Sequence, residues 1–178
     1  GEILTGVSAN ISVRNSLIAS ADIEGKFLSE RALAIRVRPN ATGRQLQITS
    51  SDGGSALRAS NLYSKVAGGS LEFSAFLANG GTSTIQNGRL VMRDFDVRNE
   101  AALADIDSRS KSKKSGPRRE GLSFTKLTLP FTTDAKFIRI GDSLLKGNEL
   151  GAAAEGLLRP APVAGRHEGV IHRVGPPA

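Results

Sequence analysis

The chain of 178 residues contains no cysteine and no tryptophan, one tyrosine, two histidines and no long apolar run. Without cysteine there are no disulfides, no thiolate metal sites and no thiol nucleophile. With only seven Phe and Tyr63 as aromatics, core volume has to come from Leu, Ile, Val and Ala. No stretch approaches the roughly 20 apolar residues that a spanning helix requires. No signal peptide is visible and the first residue is Gly1, so we expect a fragment whose targeting segment lies upstream. Glycine pairs occur at 53–54, 68–69 and 80–81, but no Gly-Lys-Ser/Thr or G-x-G-x-x-G accompanies them. They read as turns and a helix C-terminus rather than as a phosphate cradle.

The net charge of +7 is local. Residues 108–120 hold Arg109, Lys111, Lys113, Lys114, Arg118 and Arg119 against Glu120, leaving a net of two charges for everything else. That composition cannot bury enough apolar surface to order itself, and it predicts a disordered basic loop. Nucleic-acid modules pair such charge with stacking aromatics on a sheet. Phe95, Phe124 and Phe131 are instead in phase with the expected core, so nucleic acid is not the expected partner.

Period-2 alternation dominates what remains. Val7, Ala9, Ile11 and Val13 share a face, as do Leu33, Ile35 and Val37, with Arg36 and Arg38 opposite. Leu46 and Ile48 alternate with Gln45, Gln47 and Thr49. Leu71, Phe73, Ala75 and Leu77 form the next apolar face. Val91, Phe95 and Val97 continue it, with Leu90 and Met92 expected to point the other way. Leu122 and Phe124 change phase to Leu127, Leu129 and Phe131, which predicts a bulge near Thr125 or Lys126. Ile138 and Ile140 precede a last row of Leu150, Ala152, Ala154 and Leu158.

Two segments carry helical spacing. Ala59, Leu62, Tyr63 and Val66 follow i, i+3, i+4, i+7, with Ser55 as N-cap and Gly68 past the end. A shorter one would run from Asn99 through Leu103 and Ile106. The fold class expected is mainly β: an antiparallel meander, an open curved sheet of eight to ten strands with one or two short helices. It would occupy residues 1–158, followed by an irregular tail over 159–178. One helix cannot cover so many apolar strand faces, and the surplus must meet a second sheet, a partner, missing parts of the chain, or lipid.

Catalytic motifs fail on inspection. His167 and His172 stand five apart, with Ile171 where a metalloprotease box needs its second histidine. The S-x-x-K matches at Ser108 and Ser110 lie in low-complexity sequence with no partner motif. Asp94 and Asp96 read as a solvated strand face, and the tripeptides at Asn10 and Asn40 are chance glycosylation matches. No cofactor, metal or catalytic residue is expected.

One stretch is more specific. Asp52-Gly53-Gly54-Ser55-Ala56-Leu57 leads to Asn61-Leu62-Tyr63 and Val66-Ala67-Gly68-Gly69-Ser70-Leu71. A strand ending Asp94-Phe95-Asp96-Val97 follows, then Gly121 to Leu127, and Leu145-Lys146-Gly147-Asn148-Glu149-Leu150-Gly151-Ala152. In this order the segments, over roughly residues 45–158, resemble the C-terminal region of the AsmA-like family of bacterial envelope proteins. Beyond residue 158 the Pro- and Gly-containing tail departs from that pattern, and the basic loop cuts the second helix short.

The resemblance implies a non-enzymatic periplasmic domain of an inner-membrane-anchored protein. It further implies a part in outer-membrane biogenesis, with phospholipid carried between membranes along an apolar groove. Leu33, Ile35, Val37, Leu71, Phe73, Leu77, Phe95, Leu127 and Leu129 are the residues expected to face phospholipid or another acyl-chain lipid. Other envelope proteins are the partners expected beside it. The alternative is a β-rich assembly module that docks a protein and holds no ligand of its own.

Overall fold

The computed structural model describes residues 2–79, 85–98, 121–134, 136–147, 151–158 and 174–175. Nine long strands follow one another in sequence: β1 (Leu4–Arg14), β2 (Leu17–Phe27), β3 (Ala32–Pro39), β4 (Gly43–Ser50), β5 (Val66–Ala78), β6 (Ile85–Arg98), β7 (Gly121–Thr133), β8 (Ile138–Gly147) and β9 (Gly151–Leu158). Each pairs antiparallel with its sequence neighbours in one open sheet. This is the mainly β, open meander that the alternation predicts. A two-residue β10 (Val174–Gly175) pairs with Ala153 and Ala154, so the tail beyond residue 158 is not irregular throughout.

The tight connections have local causes. Asn15 and Ser16 both take left-handed φ, 51° and 62°, as a two-residue hairpin between right-twisted strands favours. Asn40 Oδ1 accepts from the backbone N–H groups of Thr42 (3.0 Å) and Gly43 (2.7 Å), closing the β3–β4 turn.

Asp134 plays the same part between β7 and β8, accepting from the N–H groups of Lys136 and Phe137, each at 2.8 Å. Those two bonds hold its carboxyl below the usual carboxylate range. A depressed folded-state value contributes stability above the unfolded pKa, and that contribution is lost as pH falls through the folded one. The stability difference between the native chain and Asp134→Asn is therefore expected near neutrality and should vanish in strong acid. Urea melts at the two pH values check it, and a difference independent of pH would refute the carboxylate's part.

The single described helix, α1 (Gly53–Ala59), lies between β4 and β5. Its position corrects the expectation of a helix through Leu62 to Val66 capped by Ser55. Asp52 is the N-cap, with Oδ1 accepting from Ser55 N (3.0 Å) and Oδ2 from the Ser55 hydroxyl (3.1 Å). Asn61, at φ 55°, ends the helix. The Asn61 and Leu62 N–H groups return to the carbonyls of Arg58 and Leu57, the paired bonds of a Schellman motif. Val66 is then free to pair with Val97, so strand pairing overrides its helical spacing. Leu62 and Tyr63 stay exposed. The shorter helix expected from Asn99 and the basic loop lie outside the described residues, as do the motifs at 108–113 and 167–172 and the glycines at 80–81.

The core is built where α1 lies on the sheet. Leu57 packs with Val66, Leu71, Met92, Phe95 and Phe124. Phe95 and Phe124 stack with ring centroids 5.5 Å apart. The helix can lie this close because its first two residues lack side chains. A Cβ on Gly53 would stand 2.6 Å from Met92 Cε, and one on Gly54 2.7 Å from the Val66 carbonyl oxygen.

Candidate functional site

In an antiparallel ladder, residues directly opposite share a face, so the register alone sorts the side chains. Ile23 stands opposite Ile35, Ile35 opposite Ile48, and Ile48 opposite Phe73. Phe73 stands opposite Leu90, and Leu90 opposite Leu129. These six residues make one row across β2 to β7, and all six are half-buried, neither enclosed nor fully exposed. At about 4.8 Å per strand the row is about 24 Å long. Phe73 stacks on Phe131 beside it, centroids 5.8 Å apart.

The nine expected lipid-facing residues all belong to the face that carries this row. Leu33, Ile35 and Val37 alternate inward on β3, and Leu71, Phe73 and Leu77 on β5. Leu127 and Leu129 stand opposite Met92 and Leu90, and Phe95 opposite Phe124. Their surroundings divide them. Val37, Leu71 and Phe95 are buried, and Leu71 and Phe95 belong to the core beneath α1. Leu33, Ile35, Phe73, Leu77, Leu127 and Leu129 are half-buried.

The expectation that Leu90 and Met92 point away from this face is overturned. Both stand on it, and Val91 lies opposite Glu72 and Thr128 on the other side. The cause is Asp94, whose φ of 53° breaks the alternation, so that Met92 and Phe95, three residues apart, turn to the same side. The glycine pair at 68–69, read from sequence as the end of a helix, is the matching irregularity within β5, with φ of 64° and 74°. In β7 the expected bulge is present as a register shift against β8 between Phe124 and Lys126.

Two further features of the face are not apparent from alternation alone. Arg44 shares it with Leu46 and Ile48, and is only 4% exposed. Its guanidinium donates to the Ile18 carbonyl (2.7 Å) across β3, and to the Ala78 carbonyl (3.5 Å). At the other end, Arg58 on α1 binds Glu2 (Nε to Oε1, 2.6 Å), the Val66 carbonyl (2.7 Å) and the Ser55 hydroxyl (3.0 Å). Four strand spacings, about 19 Å in a flat sheet, separate β1 from β5, on which α1 packs. The contact from Glu2 to Arg58 therefore has the sheet curl toward the helix side. The apolar row lies between these two polar ends.

The opposite face is charged. Asp22 takes two hydrogen bonds from Arg38, and Arg36 donates to Glu24 at 3.1 Å. The Arg38 hydrogen bonds hold the Asp22 carboxyl below its usual range. These pairs are solvent-exposed, and such pairs contribute little to stability. Asp96, read as part of a solvated face, accepts from the Ser123 hydroxyl at 2.6 Å.

No family model, curated protein or solved structure matches the chain. Among the described residues, no three of His, Cys, Asp and Glu come together as a metal site. No described helix is long and apolar enough to cross a membrane.

Proposed function

We propose that this chain is a non-enzymatic β-domain of an AsmA-like protein of the bacterial envelope, and that its apolar sheet face shields the acyl chains of phospholipid in the periplasm. The observation that carries the reading is the unbroken half-buried row from Ile23 to Leu129. A soluble sheet that is charged on one side normally buries its other side completely. Among the described residues, one seven-residue helix covers one end of the apolar side. Shielding needs no catalytic group, only apolar surface, at about 0.8 kcal/mol for each CH₂ removed from water. The row of about 24 Å exceeds the roughly 15 Å of hydrocarbon in one bilayer leaflet, so an extended acyl chain has room to lie along it. The family resemblance supplies the envelope setting, the inner-membrane anchor and the part in outer-membrane biogenesis.

The test is organic extraction of the purified chain followed by mass spectrometry. Bound phospholipid is expected in near-stoichiometric amount. An aspartate beneath an acyl chain should cost at least about 1.4 kcal/mol, or tenfold in occupancy, so Phe73→Asp with Leu90→Asp should remove the lipid. Circular dichroism confirms that the variant keeps its sheet, and Phe73→Ser serves if the double variant does not. A folded chain that is free of lipid, and takes up none from vesicles, overturns the reading.

A further inference from the structure

On the face opposite the apolar row, three cations stand in one line. In register, Arg93 on β6 lies opposite Lys126 on β7, and Lys126 opposite Lys146 on β8. Met92, Leu127 and Leu145, their neighbours in the chain, turn to the helix side, so these three point the other way. Two strand spacings make the line about 10 Å long. Arg93 and Lys146 are exposed, and Lys126 is half-buried.

Like charges directly opposite one another on a sheet repel. Elsewhere on this face the repulsion is avoided: Arg36 stands opposite Asp22 and donates to Glu24, and Arg38 donates to Asp22. Around the line of three it is not. The carboxylates closest in register are Asp94, beside Arg93 in the chain, and Glu72, opposite Val91. Among the described residues, none of the three cations forms an ion pair. A ligand that compensates them has to bring more than one negative charge within a few ångström. A carboxylate brings one. A phosphomonoester brings about two, with oxygens for the Arg93 fork and for two ammonium groups. The line continues to Ser70 on one side and Gly151 on the other, so it holds no ring on which a base could stack.

We propose that Arg93, Lys126 and Lys146 form a binding site for a multiply charged phosphate group, carried on a lipid headgroup or free in solution. The site lies across the sheet from the apolar row and stands whether or not that row holds lipid.

Thermal unfolding in pyrophosphate, compared with sodium chloride at the same ionic strength to remove general screening, tests it. With a Kd of about 1 mM, pyrophosphate at about 10 mM should raise the midpoint by about 3–6 °C. Arg93→Gln and Lys126→Gln should each remove most of that gain; circular dichroism checks their sheet content, and either one that folds suffices. Lys136→Gln, the same change of charge at the β7–β8 turn, should keep the gain. No gain over chloride overturns the proposal. So does a gain that survives Lys126→Gln, which would place the ion elsewhere, and so does one lost equally in Lys136→Gln, which would reflect net charge alone. Flotation with phosphatidic acid vesicles separates the two sources. Retention that Lys126→Gln weakens at least about tenfold places the phosphate on a headgroup, and a thermal gain without retention places it in solution.

Discussion

Replacing Phe27 by alanine is expected to lower stability by about 3–5 kcal/mol, read as a fall in the urea midpoint with an unchanged slope. Phe27 is fully buried, one of the two largest side chains with almost no exposed surface. Removing its ring leaves a cavity that the backbone cannot close, because Phe27 is held in the ladder opposite Leu4 and its N–H and C=O bond Arg31 and Glu30. Domains of this size are stable by only about 5–15 kcal/mol, so the loss is a large fraction of the whole.

Phe73→Ala gives the contrast. Its ring is half-buried and stacks on Phe131, so only part of its surface is withheld from water. The expected cost is about 1–2 kcal/mol. The ratio of the two tests the central description of the face. If Phe73→Ala costs as much as Phe27→Ala, the row from Ile23 to Leu129 is closed core, and no surface is left to shield a lipid. If it costs much less, the row is open to a ligand.

How much of this could be read from sequence depends on whether alternation runs unbroken. β3, β4 and most of β5 alternate cleanly, and their inward apolar residues are legible in the sequence. Those of β2 are not, because its inward row is Ala21, Ile23 and Gly25, small or weakly apolar, against Asp22, Glu24 and Lys26 outside. A further irregularity between Ser12 and Val13 shifts the pairing of β1 with the start of β2. Both ends of α1 escape the pattern because Leu62, Tyr63 and Val66 repeat at helical spacing, while the residues that start and stop the helix, Asp52 and a left-handed Asn61, lie outside that repeat. Arg44 was passed over for the opposite reason: charge in an alternating strand implies an outward position. Here an inward one is tolerated because the guanidinium reaches the carbonyls of Ile18 and Ala78.

The phase change is the deeper lesson. It was visible in β7, where Leu122 and Phe124 give way to Leu127, but not in its neighbours. In register, Thr125 continues to Asp94 and Asp94 to Gly69, so three adjacent strands change phase along one line. On one side of the line Val66, Phe95 and Phe124 turn inward, and on the other Leu71, Met92 and Leu127 do. Together with Leu57 they make the core, so the line is what brings two blocks of alternation to bear on the same helix.

That line predicts a graded series. Gly68→Ala meets no atom within 4 Å, and only its left-handed backbone is strained, at about 1–2 kcal/mol. Gly69→Ala carries the same backbone cost and also puts a Cβ 2.6 Å from Phe95 Cβ and 2.7 Å from the Arg93 carbonyl oxygen. Forcing β5 from β6 adds about 1–3 kcal/mol, for a total of about 2–5. Asp94→Gly runs the other way: it removes the left-handed strain of a non-glycine residue and should be neutral or stabilising by up to about 1 kcal/mol. Urea melts of the three variants read the series directly. Equal losses at 68 and 69 would mean that β5 and β6 do not approach closely at Phe95. A destabilising Asp94→Gly would mean that the aspartate side chain, rather than the backbone turn, holds the phase change in place.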